Sequence, residues 1–278
     1  FPRALRPSLT TGITSSDYIG SALAPVVIVP LILWFGWRGM FQILGIVGLV
    51  YVFFYALFVK QTKPQEETKE DKSKKNKYFL HLLKFSLIWK LILCAFCISC
   101  INKGLDAWMP TYLIAERGIN LKAVGYLTPI PFIASFLSTA VCGWVMNKYF
   151  DKKENWMIVI CAAMTAIFLY FMYNAETIMW VVIFQCGVYF FKACILGTAV
   201  AIVLKIVTGS IAGSASTLIN MGGQVAGFIS PIIMGYLVYA FNGSFNAVFY
   251  YLMGVAALCA ISALLIPTRK EDMLDLEK

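Results

Sequence analysis

Six polar side chains stand inside long apolar stretches, and their chemistry suits a small anion with hydroxyl groups. Lys192 lies in GVYFFKACILG, and Asn102 and Lys103 lie in CINKGLDAW. Asp17 follows Ser15 and Ser16; Asn220 and Gln224 flank the pair Gly222-Gly223. A lysine at the centre of a bilayer costs about 2.5–3.5 kcal/mol on insertion scales, so it implies a paired anion or a solvated cavity. Lys192 therefore reads either as an anion site or as half of a structural ion pair. Lys103 reads as a cavity-edge cation or as the partner of Asp106, three residues on along one helix face. Asn220 and Gln224, four apart, share a face and serve either to hydrogen-bond hydroxyls or to hold two helices together. Asp17 is a carboxylate that could carry a coupling proton or pair with a cation elsewhere.

The elements that position these groups follow from composition. Of 278 residues, 60% are hydrophobic and 13% charged. A soluble domain carries about 45–50% and about 25%. A bilayer-crossing helix needs about 20 predominantly apolar residues. Eight such runs are predicted, at 10–34, 39–59, 91–114, 123–147, 156–175, 177–204, 211–241 and 244–267. They are too long and too uniformly apolar for barrel strands. The fold class is an all-α polytopic membrane protein with the lipid bilayer as its environment. Pro129 and Pro131 predict a kink in the fourth run, and Gly222, Gly223 and Gly227 predict close helix packing in the seventh. Gln42 and Gln185 are expected to make interhelical contacts, and Trp108 and Tyr112 to sit in an interfacial aromatic belt.

The net charge of +9 has a topological meaning. With both ends cytoplasmic, 18 of the 23 Lys and Arg fall on inside segments, three fall outside and two lie within spans. That bias predicts the orientation and removes any need for a nucleic-acid partner. The stretch 60–78 has the composition of a solvated linker, and 79–89 reads as an amphipathic surface segment. All eight Cys fall in the runs. Cys94, Cys97 and Cys100 read as small apolar residues on a helix rather than metal ligands. No metal pair, nucleophile elbow or phosphate loop is visible, so neither an enzyme nor a cofactor is expected.

The first and seventh runs resemble each other. At an offset of 206 residues, Thr11 matches Thr217, Ile13 matches Ile219, Pro25 matches Pro231, Leu31 matches Leu237 and Phe35 matches Phe241. Parallel repeats of six-helix halves are a transporter architecture. On that reading the first two runs are the fifth and sixth helices of a first half, and four helices precede residue 1.

Longer motifs carry a family resemblance. FPRALRPSLTTGITSSDYIGSALAPVV followed by GWRGMF, NKGLDAWMPTYLIAERG at 102–118, GWVMNKYFDKK at 143–153 and STLINMGGQVAGFISPIIMGYL together resemble the anion:cation symporter branch of the major facilitator superfamily. The resemblance implies helices 5–12 of a twelve-helix fold, N-terminally truncated. Residues 1–60 would end the first half, 61–90 form a cytoplasmic central linker, 91–268 the second half and 269–278 a cytoplasmic tail. It implies secondary transport of a sugar acid or sugar phosphate by alternating access in the plasma membrane, with a coupling proton or counter-ion as partner. A non-transporting sugar-phosphate sensor of the same fold is the alternative. Lys192, Asn102, Lys103, Asn220, Gln224 and Asp17 are the substrate-binding candidates, and Asn102 occupies the family's substrate-facing position in helix seven. Two departures stand out. Asn147 replaces the usual Asp of the loop motif, and Asn102 replaces the Arg of organophosphate antiporters, which removes a bidentate phosphate clamp. These 278 residues expressed alone are expected not to transport; accumulation of labelled substrate above background by that polypeptide would contradict this.

Overall fold

The computed structural model describes residues 6–58, 86–150, 153–206 and 211–266, with side chains from Ser16 onward except at 147, 200, 201, 203–206 and 211–214. The linker 60–78, the start of the amphipathic segment through residue 85 and the tail 269–278 lie outside the described residues. Every regular element among the described residues is helical. Among the described residues, seven helices are long and apolar enough to cross a membrane.

The first helix, α1 (Arg6–Phe58), carries two of the eight predicted runs. Its membrane-compatible part, 43 residues, would extend about 65 Å if straight at about 1.5 Å per residue. That is roughly twice the hydrocarbon thickness. The break comes at Gly36 (φ 67, ψ 173). A positive φ is cheap only without a Cβ, so one glycine replaces the loop expected between the runs. Past Met40 the helix is exposed along nearly its whole length, and Gln42, expected in a helix contact, is exposed.

The remaining elements are α2 (Ser86–Ala115), α3 (Leu121–Leu127), α4 (Pro129–Tyr149), α5 (Glu154–Tyr173), α6 (Ile178–Ile206), α7 (Ile211–Ala240) and α8 (Asn246–Leu264). Helix α2 starts at Ser86, inside the predicted linker range 61–90. The kink expected at Pro129 and Pro131 divides α3 from α4. Proline lacks an N–H and cannot complete the ladder there. The Thr128 hydroxyl instead donates to the Val124 carbonyl at 2.7 Å.

Helices α2, α4, α5, α6, α7 and α8 form one bundle: α2 packs on α7 and α8, α6 on α4 and α5, and α5 on α8. The bundle interior includes Ile98 and Ile101 of α2, Ile158 and Leu169 of α5, Ile195 of α6 and Leu252 of α8, all 2% exposed or less. Helix α1 runs along α3 and α4. Three kinds of seam hold the elements together. Between α2 and α7, glycines bring backbones close: a Cβ on Gly223 would stand 2.7 Å from the Ser99 hydroxyl, and one on Gly227 would stand 3.2 Å from the Lys103 stem. That is the close packing expected of Gly222, Gly223 and Gly227. Ser230 also donates to the Cys100 carbonyl at 2.8 Å, and Trp108 donates to the Pro231 carbonyl at 3.0 Å. Between α4 and α6, hydroxyls meet carbonyls: Ser135 donates to Tyr189 at 2.9 Å and Ser138 to Phe190 at 2.6 Å. Between α2 and α8, Cys94 and Cys259 stand sulfur to sulfur at 3.7 Å, both fully buried.

Trp108 and Tyr112 depart from the aromatic-belt expectation. Tyr112 is 4% exposed and packs edge-on against Phe245 and Phe249, and Trp108 is tied inward to α7. Their rings fill the seam between α2 and its neighbours, where apolar area and a hydrogen-bond donor are both used.

Between α1 and α3, Val29 seats on Gly125; a Cβ there would lie 2.9 Å from the Val29 Cβ. Gly125→Leu should therefore destabilise the fold by the amount typical of overpacking, about 1–3 kcal/mol. Gly254→Ala, which enters open space within α8, should not destabilise and should gain up to about 1 kcal/mol from the better helix propensity of Ala. Fluorescence-detected thermal unfolding in detergent compares the two.

Candidate functional site

Lys192 lies about halfway along α6, among apolar residues, and is 2% exposed. A lone ammonium in such a place is unfavourable, and three features of the fold offset its burial. Its Nζ lies 3.2 Å from Asp106 Oδ1, across the helix boundary on α2. The same Nζ sits over the Tyr189 ring, 3.2 Å from the centroid. Tyr189 in turn donates its hydroxyl to that same Asp106 Oδ1 at 2.7 Å. One carboxylate oxygen thus receives both donors, and the ring that supplies one of them covers the cation that supplies the other. Cation–π attraction strengthens when the cation is desolvated, as it is here.

The sequence spacing explains half of this arrangement. Tyr189 and Lys192 are three apart on α6 and share a face. Gln185, one turn earlier and 2% exposed, lies within hydrogen-bonding reach of Tyr189 on the same helix. Phe132 of α4 meets the Tyr189 ring edge-on at 5.2 Å. Ser135 holds the Tyr189 carbonyl. Tyr189 is thereby fixed at both ends, and it fixes Asp106.

The structure revises the expected partner of Asp106. The Lys103–Asp106 pair along α2 is not formed, because Lys192 and Tyr189 occupy the carboxylate from another helix. Lys103 is exposed, with its stem against Gly227 of α7. It is still near enough to Lys192 for the two positive charges to interact. Asn102 is half-buried beside it, while Asn220 and Gln224 are exposed on α7, within two turns of Gly227. Asp17 is exposed on α1; its neighbour Tyr18 is half-buried and lies within electrostatic reach of Asp106, Cys142 and Cys194. Asp106, Lys192, Lys103 and Tyr18 therefore form one neighbourhood, with Asn220 and Gln224 on the adjoining helix. Asp17 approaches from α1.

Tyr189, Ser135 and Tyr18 have no counterpart in the sequence expectations. The i, i+3 spacing of Tyr189 to Lys192 was the one available signal; the other two depend on which helices are neighbours. Cys94, Cys97 and Cys100 are buried in the bundle, and among the described residues no group of three or more His, Cys, Asp or Glu is placed to hold a metal.

The family model for the Major Facilitator Superfamily matches residues 1–191. The chain belongs to the major facilitator superfamily. Members of this superfamily are multi-pass membrane transporters rather than enzymes, in keeping with the membrane-length helices. The chain is 26% identical over 179 residues to the probable galactarate/D-glucarate transporter of Escherichia coli (strain K12), which covers 62% of this chain and 38% of that protein. It is 24% identical over 165 residues to the D-galactonate transporter of Escherichia coli O6:H1, covering 57% of this chain and 37% of that one. It thus spans less than two fifths of these relatives. A bacterial homologue of the human lysosomal transporter Spinster, solved inward-facing and unoccupied, superposes with a TM-score of 0.67 at 13% identity, over 99% of this chain and 73% of that one. This likeness shows the shared helical fold of the superfamily.

Tyr189→Phe removes the donor and Asp106→Ala the acceptor of the same hydrogen bond. Such bonds contribute about 0.6 kcal/mol on average within membranes. The two substitutions should each lower stability, and the double variant should cost less than their sum. Strict additivity in a detergent-unfolding cycle would mean that this bond contributes nothing.

Proposed function

We propose that the intact protein containing this chain is a secondary carrier of a small organic anion of the sugar-acid class, working by alternating access. The observation that carries this reading is Lys192, an ammonium held at membrane depth at the meeting of α2, α4 and α6, with Lys103 close by. A carboxylate is the ligand such a cation selects, and it suits a single point charge. Asn102, Asn220 and Gln224 are amide-bearing side chains on the helices flanking it, able to donate to and accept from sugar hydroxyls. Few convergent polar groups in an apolar surround is the usual character of a small-molecule site. The names of the relatives, galactarate, D-glucarate and D-galactonate transporters, support a sugar acid as the substrate class. They also favour transport over the sensor reading. The absence of an Arg at Asn102 favours carboxylates over phosphates.

In this reading the carrier resides in the plasma membrane with both ends of this chain cytoplasmic, as the Lys and Arg distribution implies. A proton or counter-ion couples uptake, and Asp17 on α1 is the carboxylate available to exchange a proton from the opposite side of the site. Residues 1–60 end the first half, 61–90 link the halves, 91–268 form the second half and 269–278 the tail.

Lys192→Ala should abolish uptake of labelled D-glucarate, galactarate or D-galactonate by vesicles containing the intact protein, a fall of at least about tenfold, one decade being about 1.4 kcal/mol of lost interaction. Wild-type uptake by a well-folded Lys192→Ala protein would remove Lys192 from the site.

A further inference from the structure

Lys192 is 2% exposed, whereas Asp106 is 27% exposed. The cation that would bind substrate is therefore shut away, and the carboxylate is the part of the pair that solvent reaches. An incoming anion meets Asp106 before it meets Lys192. From that side it reaches the ammonium by taking the place that Asp106 Oδ1 now fills at 3.2 Å.

The displaced carboxylate has a second partner waiting. Lys103 is three residues earlier on α2, on the same helix face, exposed, and among the described residues bonded to no carboxylate. Positions three apart on a helix lie about 5–6 Å apart at Cβ, within reach of a Lys–Asp pair. A change of side-chain rotamer on Asp106 thus exchanges one lysine for the other without moving a helix. The remaining groups facing Asp106 fit such a pivot. Tyr189 donates to it from α6, and Tyr18 with its neighbour Asp17 approaches from α1. The ring and carbonyl of Tyr189 are held by Phe132 and Ser135, so its hydroxyl stays in place and can donate to the substrate carboxylate that replaces Asp106 Oδ1.

Resting on the sugar-acid carrier reading, we propose that Asp106 is an internal counter-anion that occupies Lys192 in the empty carrier and passes to Lys103 when a substrate carboxylate takes its place. The empty site is then electrically paired and closed, so the unloaded protein can reorient through an apolar bundle. The loaded site is paired as well, with substrate on Lys192 and Asp106 on Lys103. Without Asp106, an empty carrier would have to reorient with an uncompensated buried ammonium, which is strongly unfavourable. Asp106 also competes with substrate, and so it sets affinity. Removing a competitor that masks the competent state raises apparent affinity by the reciprocal of the competent fraction.

The test uses the intact protein in proteoliposomes with labelled D-glucarate, galactarate and D-galactonate, following whichever of the three wild type carries. Asp106→Asn should lower the KM for exchange several-fold and reduce net uptake at least about tenfold more than exchange, because only net uptake needs the empty carrier to return. Lys103→Gln should raise KM several-fold in the wild-type background and have no effect on KM in the Asp106→Asn background, because it acts through Asp106. Equal loss of exchange and net uptake in a monodisperse Asp106→Asn protein would overturn the proposal, and so would an unchanged KM. If Asp106→Asn fails to fold, Asp106→Ser takes its place with the same two readouts and the same Lys103→Gln background comparison, and an unchanged KM for Lys103→Gln in the wild-type background overturns the pivot in either case. Wild type that carries none of the three anions would instead refute the carrier reading itself, and the pivot with it.

Discussion

A charge that cannot reach water organises this bundle. Lys192 is held in the middle of a helix whose neighbours are Val, Phe, Ala, Cys and Ile. Bringing an ammonium there requires a carboxylate in contact, a ring face, and a donor to orient the carboxylate, because each unpaired charge in a low-dielectric surround is unfavourable by several kcal/mol. Those three requirements are met by two helices, α2 and α6, and by a tyrosine that belongs to the lysine's own helix face. Once Asp106 is committed to this contact, the rotation of α2 about its axis is set. Its small and sulfur-bearing face, Cys94 and Cys97, is then turned into the bundle, and its Ser99–Lys103 edge faces α7.

The seams between helices serve the same end by different chemistry. On one side, Ser135 and Ser138 reach carbonyls of α6 next to Tyr189, which fixes the helix carrying the lysine. On the other, glycines of α7 admit Ser99 and the stem of Lys103. The glycine contact leaves the Lys103 ammonium exposed while its methylenes pack, the usual way a long cationic side chain combines apolar contact with solvation. The result is two cations of different standing: one buried and paired, the other open. A site of that kind favours an anionic ligand and gives Asp106 two partners of unequal access.

Much of the architecture was legible in the chain. The number of apolar runs, their lengths and the helical class follow from the free-energy cost of unsatisfied backbone groups in hydrocarbon, which leaves few alternatives. The break at Pro129 and the close packing at Gly223 follow from covalent properties of those residues. The family likewise follows from linear motifs. The single-residue break at Gly36 was less legible, because a glycine among apolar residues reads equally as packing or as a turn until its φ is known. Trp108 and Tyr112 misled for a similar reason: aromatic residues near a helix end suit an interface, but a hydrogen bond to Pro231 and ring contacts with Phe245 draw them inward.

The sequence by itself determined which residues carry charge at membrane depth, because that is a matter of composition along one dimension. It also offered a local pairing that a helix permits, Lys103 with Asp106, which the fold does not use. Only the tertiary structure decided which anion meets Lys192. Asp106 has two lysines available, one three residues away and one 86 residues away, and helix geometry alone favours the near one. The distant partner prevails because Lys192 is the more deeply buried of the two cations, and the gain from pairing a charge is largest where water is least able to solvate it.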